Sequence, residues 1–336
     1  MVAVCKHRSK TLLECTVYAF ILACGFILNL YICVPKTVRK LPRSDTRQIK
    51  WRIFSVIVTV LCSLLTYPLL FCEETVVHSG NIKNVSEAVW KILGFRFDIS
   101  SLAPLCHTAL LYFGPTMATL LQHRQQYSRY LHDDRPPPFP TFYRYILSRL
   151  EHMIKVTLYE NPWTAARNLL IAPLAEEVVF RACIIPPFLN CDEQLSPTLI
   201  CWITPLFFGI AHLHHAFQKL QEGLPMKTVF LMSAFQVTYT TLFGAYASYC
   251  FIKTASTPGV VLLHSFCNFM GLPNVTLLFD PRAGNSTRSG VDGHNDEMKL
   301  ARNLSRVAYA VGIVAFVIGF SSWGLFPKNG AMLKLL

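Results

Sequence analysis

Charge is what this 336-residue sequence has least of: Asp, Glu, Lys and Arg make up only 15% of it, against about 25% in soluble domains. Acids are scarcest, 19 against 31 basic residues, for a net charge of +12. There is no CxxC pair and no HExxH, so neither a finger-like zinc site nor the usual zinc-protease signature is present. The 12 cysteines fall mostly in apolar runs, among them Cys24, Cys62, Cys106 and Cys250, and read as small packing residues rather than a disulfide framework. No removable signal peptide is evident either. The apolar run after Lys6, Arg8 and Lys10 extends to Val34 without a small-residue cleavage site, so it reads as a first membrane helix. The tail has no retention or lipidation signal, and no internal repeat is visible.

What the chain does have is apolar length. Hydrophobic residues make up 52% of it, in recurring runs of about 20. The expected fold is an all-α polytopic membrane protein with about eight transmembrane helices around a polar intramembrane cavity. The runs fall at 11–34, 53–72, 99–121, 164–189, 196–213, 227–252, 257–279 and 304–326. Three regions follow: membrane helices with basic loops over 1–163, a core over 164–280, and a polar loop with a last helix over 281–336. Loop 35–52 holds seven cations and 122–163 is basic again, which marks both as cytosolic and both termini as lumenal. The positive charge therefore reports orientation and no nucleic-acid partner. The 73–98 loop carries the sequon Asn84-Val85-Ser86. Residues 136–140 are too Pro-rich for a helix throughout, while 141–158 suits either an interfacial helix or a solvated connector.

One run is chemically unusual. Residues 164–189 contain Glu176, Glu177 and Arg181. A charge at membrane centre costs about 2.5–3.5 kcal/mol, and the 11 Leu, Ile, Val and Phe residues of the run return about 0.3–0.6 kcal/mol each. Those sums nearly cancel, so the charged face must turn to other helices or to a wet cavity. Glu177 and Arg181 stand four apart, the favourable ion-pair order. Glu176 points about 100° away, so one carboxylate is held while its neighbour is free for general-base work. A structural charge network or a proton relay would use the same residues.

Two further motifs carry imidazoles. Phe208 and His212 are four apart at the end of the fifth run, and His264 and Asn268 are four apart in the seventh. His and Asn on one face can both donate to an oxyanion, or can simply join helices. Alone, each pair has a structural explanation. Together, Glu-Glu-x-x-x-Arg, Phe-x-x-x-His and His-x-x-x-Asn, with Ile171-Ala172-Pro173, Pro205-Leu206-Phe207-Phe208-Gly209 and Phe243-Gly244-Ala245-Tyr246, resemble the type II CAAX prenyl endopeptidases over roughly 164–273.

The resemblance implies an endopeptidase of the endoplasmic-reticulum membrane, open to the cytosol. Such enzymes release the last three residues of farnesylated or geranylgeranylated CAAX proteins, such as Ras-like GTPases. It also implies that Glu176 and His212 activate water, that His264 and Asn268 stabilise the oxyanion, that Glu177 is held by Arg181, and that Phe208 walls the site. No Ser or Cys has a base arranged to activate it, so direct attack by water is expected. No cofactor is required; zinc held by Glu176, His212 and His264 is the alternative mechanism. A proton-coupled transporter and a non-catalytic scaffold are the alternatives outside this class.

Overall fold

The computed structural model describes residues 2–77, 85–132, 141–160, 162–272, 292–320, 326 and 330–332. Helix dominates, as expected of an all-α polytopic membrane protein. Among the described residues the exception is a two-stranded antiparallel ladder of Val2–His7 with Cys72–Val77. By length and composition four helices can cross a membrane: Leu12–Ile32, Thr46–Phe71, Pro197–Gln221 and Leu300–Gly319. Ile99–Leu111 is a shorter apolar helix. The chain packs as two compact units, one of Met1–Pro104, Ala166–Phe266 and Phe326–Leu336, the other of Leu105–Ala165 and Cys267–Leu325.

In the first unit, Leu12–Ile32 packs antiparallel on Thr46–Phe71 through small polar residues. Ser55, Thr59 and Ser63 recur every fourth position and are all buried. Asn29 donates from Nδ2 to Thr59 Oγ1 at 2.8 Å, and Ser55 donates to the Asn29 carbonyl. Without water to compete, such contacts join membrane helices. The same logic brings Pro197–Ala211 against Met226–Thr254. A Cβ at Gly244 would lie 2.7 Å from Pro205 Cβ, and one at Gly209 would lie 2.5 Å from Thr241 Oγ1. Glycine at both positions permits this approach.

The run with the paired carboxylates is helical from Pro162 to Leu189 but irregular. Two α-turns alternate with wider π-turns at Arg167–Ile171 and Val178–Cys183 before the final turn Ile185–Leu189. Pro173, Pro186 and Pro187 lack the N–H that a regular ladder needs, and π-turns recur where helices carry function. Met226–Thr254 ends at Ala255, whose φ of 48° is left-handed. Residues 93–96 clamp the reversal that follows. Thr257 donates from N to the Gly94 carbonyl at 2.8 Å and from Oγ1 to the Leu93 carbonyl at 2.6 Å. The helix Thr257–Met270, which carries His264, starts from this clamp.

The second unit is built on aromatic and glycine contacts. His107 stacks on Phe316 at 4.4 Å between ring centres and bonds the Phe316 carbonyl through Nε2 at 2.8 Å. Gly114 faces Tyr309, where a Cβ would come within 2.5 Å of the backbone. Phe142–Ile154 is the helix that the connector reading left open.

Two expectations change. The polar loop expected over 280–303 is helical from Asp292, inside a helix that runs to Gly319. Residues 292–303 include Glu297, Met298, Lys299, Leu300, Ala301 and Arg302, good helix formers whose polarity masked their propensity. Cys72, expected only to pack, is disulfide-bonded. It starts the strand that pairs with the N-terminal segment, and this ladder joins chain segments far apart in sequence.

Candidate active site

Six of the seven anticipated residues converge in the first unit. Glu177 is fully buried. Its Oε1 accepts from Arg181 Nη1 at 3.2 Å, and its Oε2 lies 3.2 Å from Arg181 Nε. The anticipated pair is therefore present, with Arg181 only 1% exposed. The Arg181 guanidinium also lies over the Phe208 ring at 4.7 Å and the Phe243 ring at 5.9 Å. That cation–π contact covers a face of the ion that hydrogen bonds leave bare.

Glu177 has a second partner that sequence spacing could not reveal. His264 donates from Nδ1 to Glu177 Oε1 at 2.7 Å, across 87 positions of sequence. This bond fixes the ring and directs Nε2 to the other side, where Glu176 Oε2 lies 3.8 Å away. Arg181, Glu177, His264 and Glu176 thus alternate in charge-bearing type along one line. Such an arrangement holds a carboxylate from two sides and orients an imidazole.

His212 is set by its own helix. Its Nδ1 lies 2.8 Å from the Phe208 carbonyl. A carbonyl can only accept, so Nδ1 carries the proton and Nε2 of the neutral ring keeps its lone pair. The Phe208 ring packs edge-on against His212 at 4.6 Å and lies 6.5 Å from His264. It is also on the lining of the site cavity.

Glu176 and His212 line one cavity of about 280 Å³. Phe26, Phe180 and Phe208 supply apolar wall, while Arg43, Arg52 and Arg167 supply cations. Unlike Glu177, Glu176 keeps 18% of its side chain exposed, so the two carboxylates divide into one held and one accessible. Asn268, one turn beyond His264 on the same helix, belongs to the second unit. Among the described residues no three His, Cys, Asp or Glu side chains form a group able to hold a metal ion. Sequence reading missed the His264–Glu177 bond, Phe243 and the three cavity arginines. Only Phe243 had a signal, its place in the Phe243-Gly244-Ala245-Tyr246 segment.

A buried carboxylate tied to Arg and His thus lies beside an accessible carboxylate and an imidazole. Similarity to known proteins gives the family. The family profile Type II CAAX prenyl endopeptidase Rce1-like matches residues 159–270. The human protein CAAX prenyl protease 2 is 35% identical over 265 residues, covering 76% of this chain and 69% of its own. CAAX prenyl protease 2 of Saccharomyces cerevisiae is 28% identical over 272 residues, covering 76% of this chain and 78% of its own. The probable CAAX prenyl protease 2 of Schizosaccharomyces pombe is 27% identical and covers 93% of both chains. No solved structure matches. The chain belongs to the type II CAAX prenyl endopeptidase family, and so to the hydrolases.

Proposed function

We propose that this protein cuts prenylated CAAX proteins, Ras-like GTPases among them, after the prenylated cysteine, and that Glu176 and His212 activate the attacking water. The observation that carries the reading is the division of labour between the adjacent carboxylates. Glu177 is buried and tied to Arg181 and His264, whereas Glu176 faces the cavity with His212. Water attacks the scissile carbonyl carbon and passes a proton to Glu176, with the lone pair on His212 Nε2 completing its orientation. The carbonyl oxygen becomes an oxyanion, which accepts a hydrogen bond from His264 Nε2. Because His264 Nδ1–H is committed to Glu177, Nε2 donates only as the imidazolium, and the ionised Glu177 is placed to balance that charge. Collapse breaks the C–N bond, and the proton held at Glu176 goes to the departing amine. The products are a prenylcysteine carboxylate and a free tripeptide.

In this mechanism no metal takes part. Zinc would need at least three ligands at about 2.0–2.2 Å from one point, and among the described residues no three His, Cys, Asp or Glu side chains form such a group. Chelator treatment is expected to leave turnover unchanged; stoichiometric zinc whose removal stops activity and whose return restores it would replace this mechanism.

The proposed location is the endoplasmic-reticulum membrane with the cavity open to the cytosol. Arg43 and Arg167 meet at the end of the unit that carries the basic loop 35–52, the side that cations mark as cytosolic. The N-terminal ladder lies at the opposite end of the first two helices, near the Cys191–Glu193 turn, where the backbone N of Leu12 donates to Glu193.

The test is cleavage of a farnesylated CAAX peptide by purified enzyme in vesicles. Glu176→Gln and His212→Ala are each expected to lower kcat by about 10²–10⁴ while membrane insertion is retained. Turnover at the wild-type rate in either variant would remove that residue from the chemistry.

A further inference from the structure

The cavity contains a charge cluster that hydrolysis itself does not use. Arg43 lies just before the helix Thr46–Phe71, Arg52 lies two turns into that helix, and Arg167 lies in the first π-turn of the charged run. Arg167 donates from Nη1 to the Arg43 carbonyl at 3.2 Å and from Nε to Asn168 Oδ1 at 2.9 Å. Arg43 Nη2 lies 3.0 Å from His215 Nδ1. None of these partners is a carboxylate. Among the described residues no Asp or Glu forms an ion pair with any of the three arginines. Among the described residues, Glu176 is the one carboxylate on the cavity lining. Arg52 and Arg167 are partly buried, so the cluster bears both desolvation and mutual repulsion without a resident counter-ion. Guanidinium forks gathered on one wall fit a planar anion that can accept paired N–H bonds.

We propose that Arg43, Arg52 and Arg167 bind the C-terminal α-carboxylate of the substrate and so place the cut three residues from its end. This rests on the endopeptidase reading above. A fully extended tripeptide spans about 10–11 Å, a length that fits within a single pocket. With the chain end held by the arginines, the bond presented to Glu176 is set by distance along the peptide, whatever its side chains. The same anchor makes the leaving tripeptide a competing ligand. A lipid headgroup phosphate would answer the same charge. The peptide carboxylate is favoured because the arginines share the cavity with the catalytic Glu176 and His212.

The test compares a farnesylated CAAX peptide as the free acid with the same peptide as its C-terminal carboxamide, using full-length enzyme in vesicles. Wild type is expected to show a KM for the acid about tenfold to a hundredfold below that for the amide, the worth of charge-assisted hydrogen bonds. Arg52→Gln and Arg167→Gln should raise KM for the acid by a similar factor with little change in kcat, bringing the acid-to-amide ratio near one. Arg52→Lys should restore part of it. A wild-type ratio near one, or a ratio unchanged in every variant, would overturn the proposal. So would equal losses on acid and amide that track removal of anionic lipid, since the cluster would then hold a headgroup. If a variant fails to fold, the wild-type ratio still decides. An enzyme that cuts neither peptide refutes the endopeptidase reading instead.

Discussion

Glu177 shows how one side chain serves both stability and chemistry. It is completely buried between Arg181 and His264, and removing one partner of a buried pair leaves the other charge uncompensated, at about 3–5 kcal/mol. Glu177→Gln should therefore lower the thermal stability of the solubilised enzyme. It should also lower kcat about a hundredfold through loss of His264 orientation, with KM little changed. Glu176→Gln should lower kcat by the larger factor of about 10²–10⁴, with little loss of stability, because Glu176 is partly exposed and its nearest His contact is 3.8 Å. Unfolding curves and steady-state kinetics on the two variants separate the roles. At this scale the sequence was informative where partners lie on one helical face. Glu177 with Arg181 and Phe208 with His212 are four apart, and period alone joins them. The bond from His264 to Glu177 connects different helices, and no local spacing encodes it. Arg43 and Arg52 were legible only as orientation marks, because charge in a basic loop predicts a side of the membrane and not a neighbour, and Arg167, inside the charged run, carried no signal of its own.

Among the elements, the start of the His264 helix is the most constrained. Ala255 is left-handed at φ 48°, and Gly94 beside it has φ +72°. A Cβ on Gly94 would lie 2.9 Å from the Phe251 ring and 3.0 Å from the Ala255 carbonyl oxygen. Gly94→Ala should destabilise by about 1–3 kcal/mol and lower kcat, since the clamp that sets His264 would shift. Ala255→Gly should stabilise by about 1 kcal/mol by relieving a left-handed alanine. Opposite shifts in unfolding temperature check the pair; a loss of stability in Ala255→Gly would mean the alanine methyl contributes more by packing than it costs in strain. Sequence reading placed a helix from 257 but could not see this clamp. A left-handed alanine has no compositional signature, unlike a glycine at a helix end. The interruption of the charged run had a partial signal in Pro173, Pro186 and Pro187, although proline marks a break without specifying π-turns.

Across the whole chain, membrane orientation is the property to test. Basic residues of 35–52 lie at the end of the first two helices opposite the Val2–His7 and Cys72–Val77 ladder. Glycosylation reporters inserted near Asn84 should therefore be modified, and those within 35–52 or 122–163 should not. Modification in either basic loop would invert the topology and place the cavity in the lumen. The helical class and the apolar runs were visible in composition because hydrophobic length is a property of the chain itself. The split into two units was not, since it groups segments that are remote in sequence.

The tether between His212 Nδ1 and the Phe208 carbonyl bears on inhibition. An electrophilic warhead entering the pocket meets an imidazole with one nitrogen already occupied, so alkylation should give a single regioisomer, at Nε2. Mapping the adduct would reveal the ring's orientation, and a compound pairing a soft electrophile with a carboxylate could reach the imidazole and the arginines together.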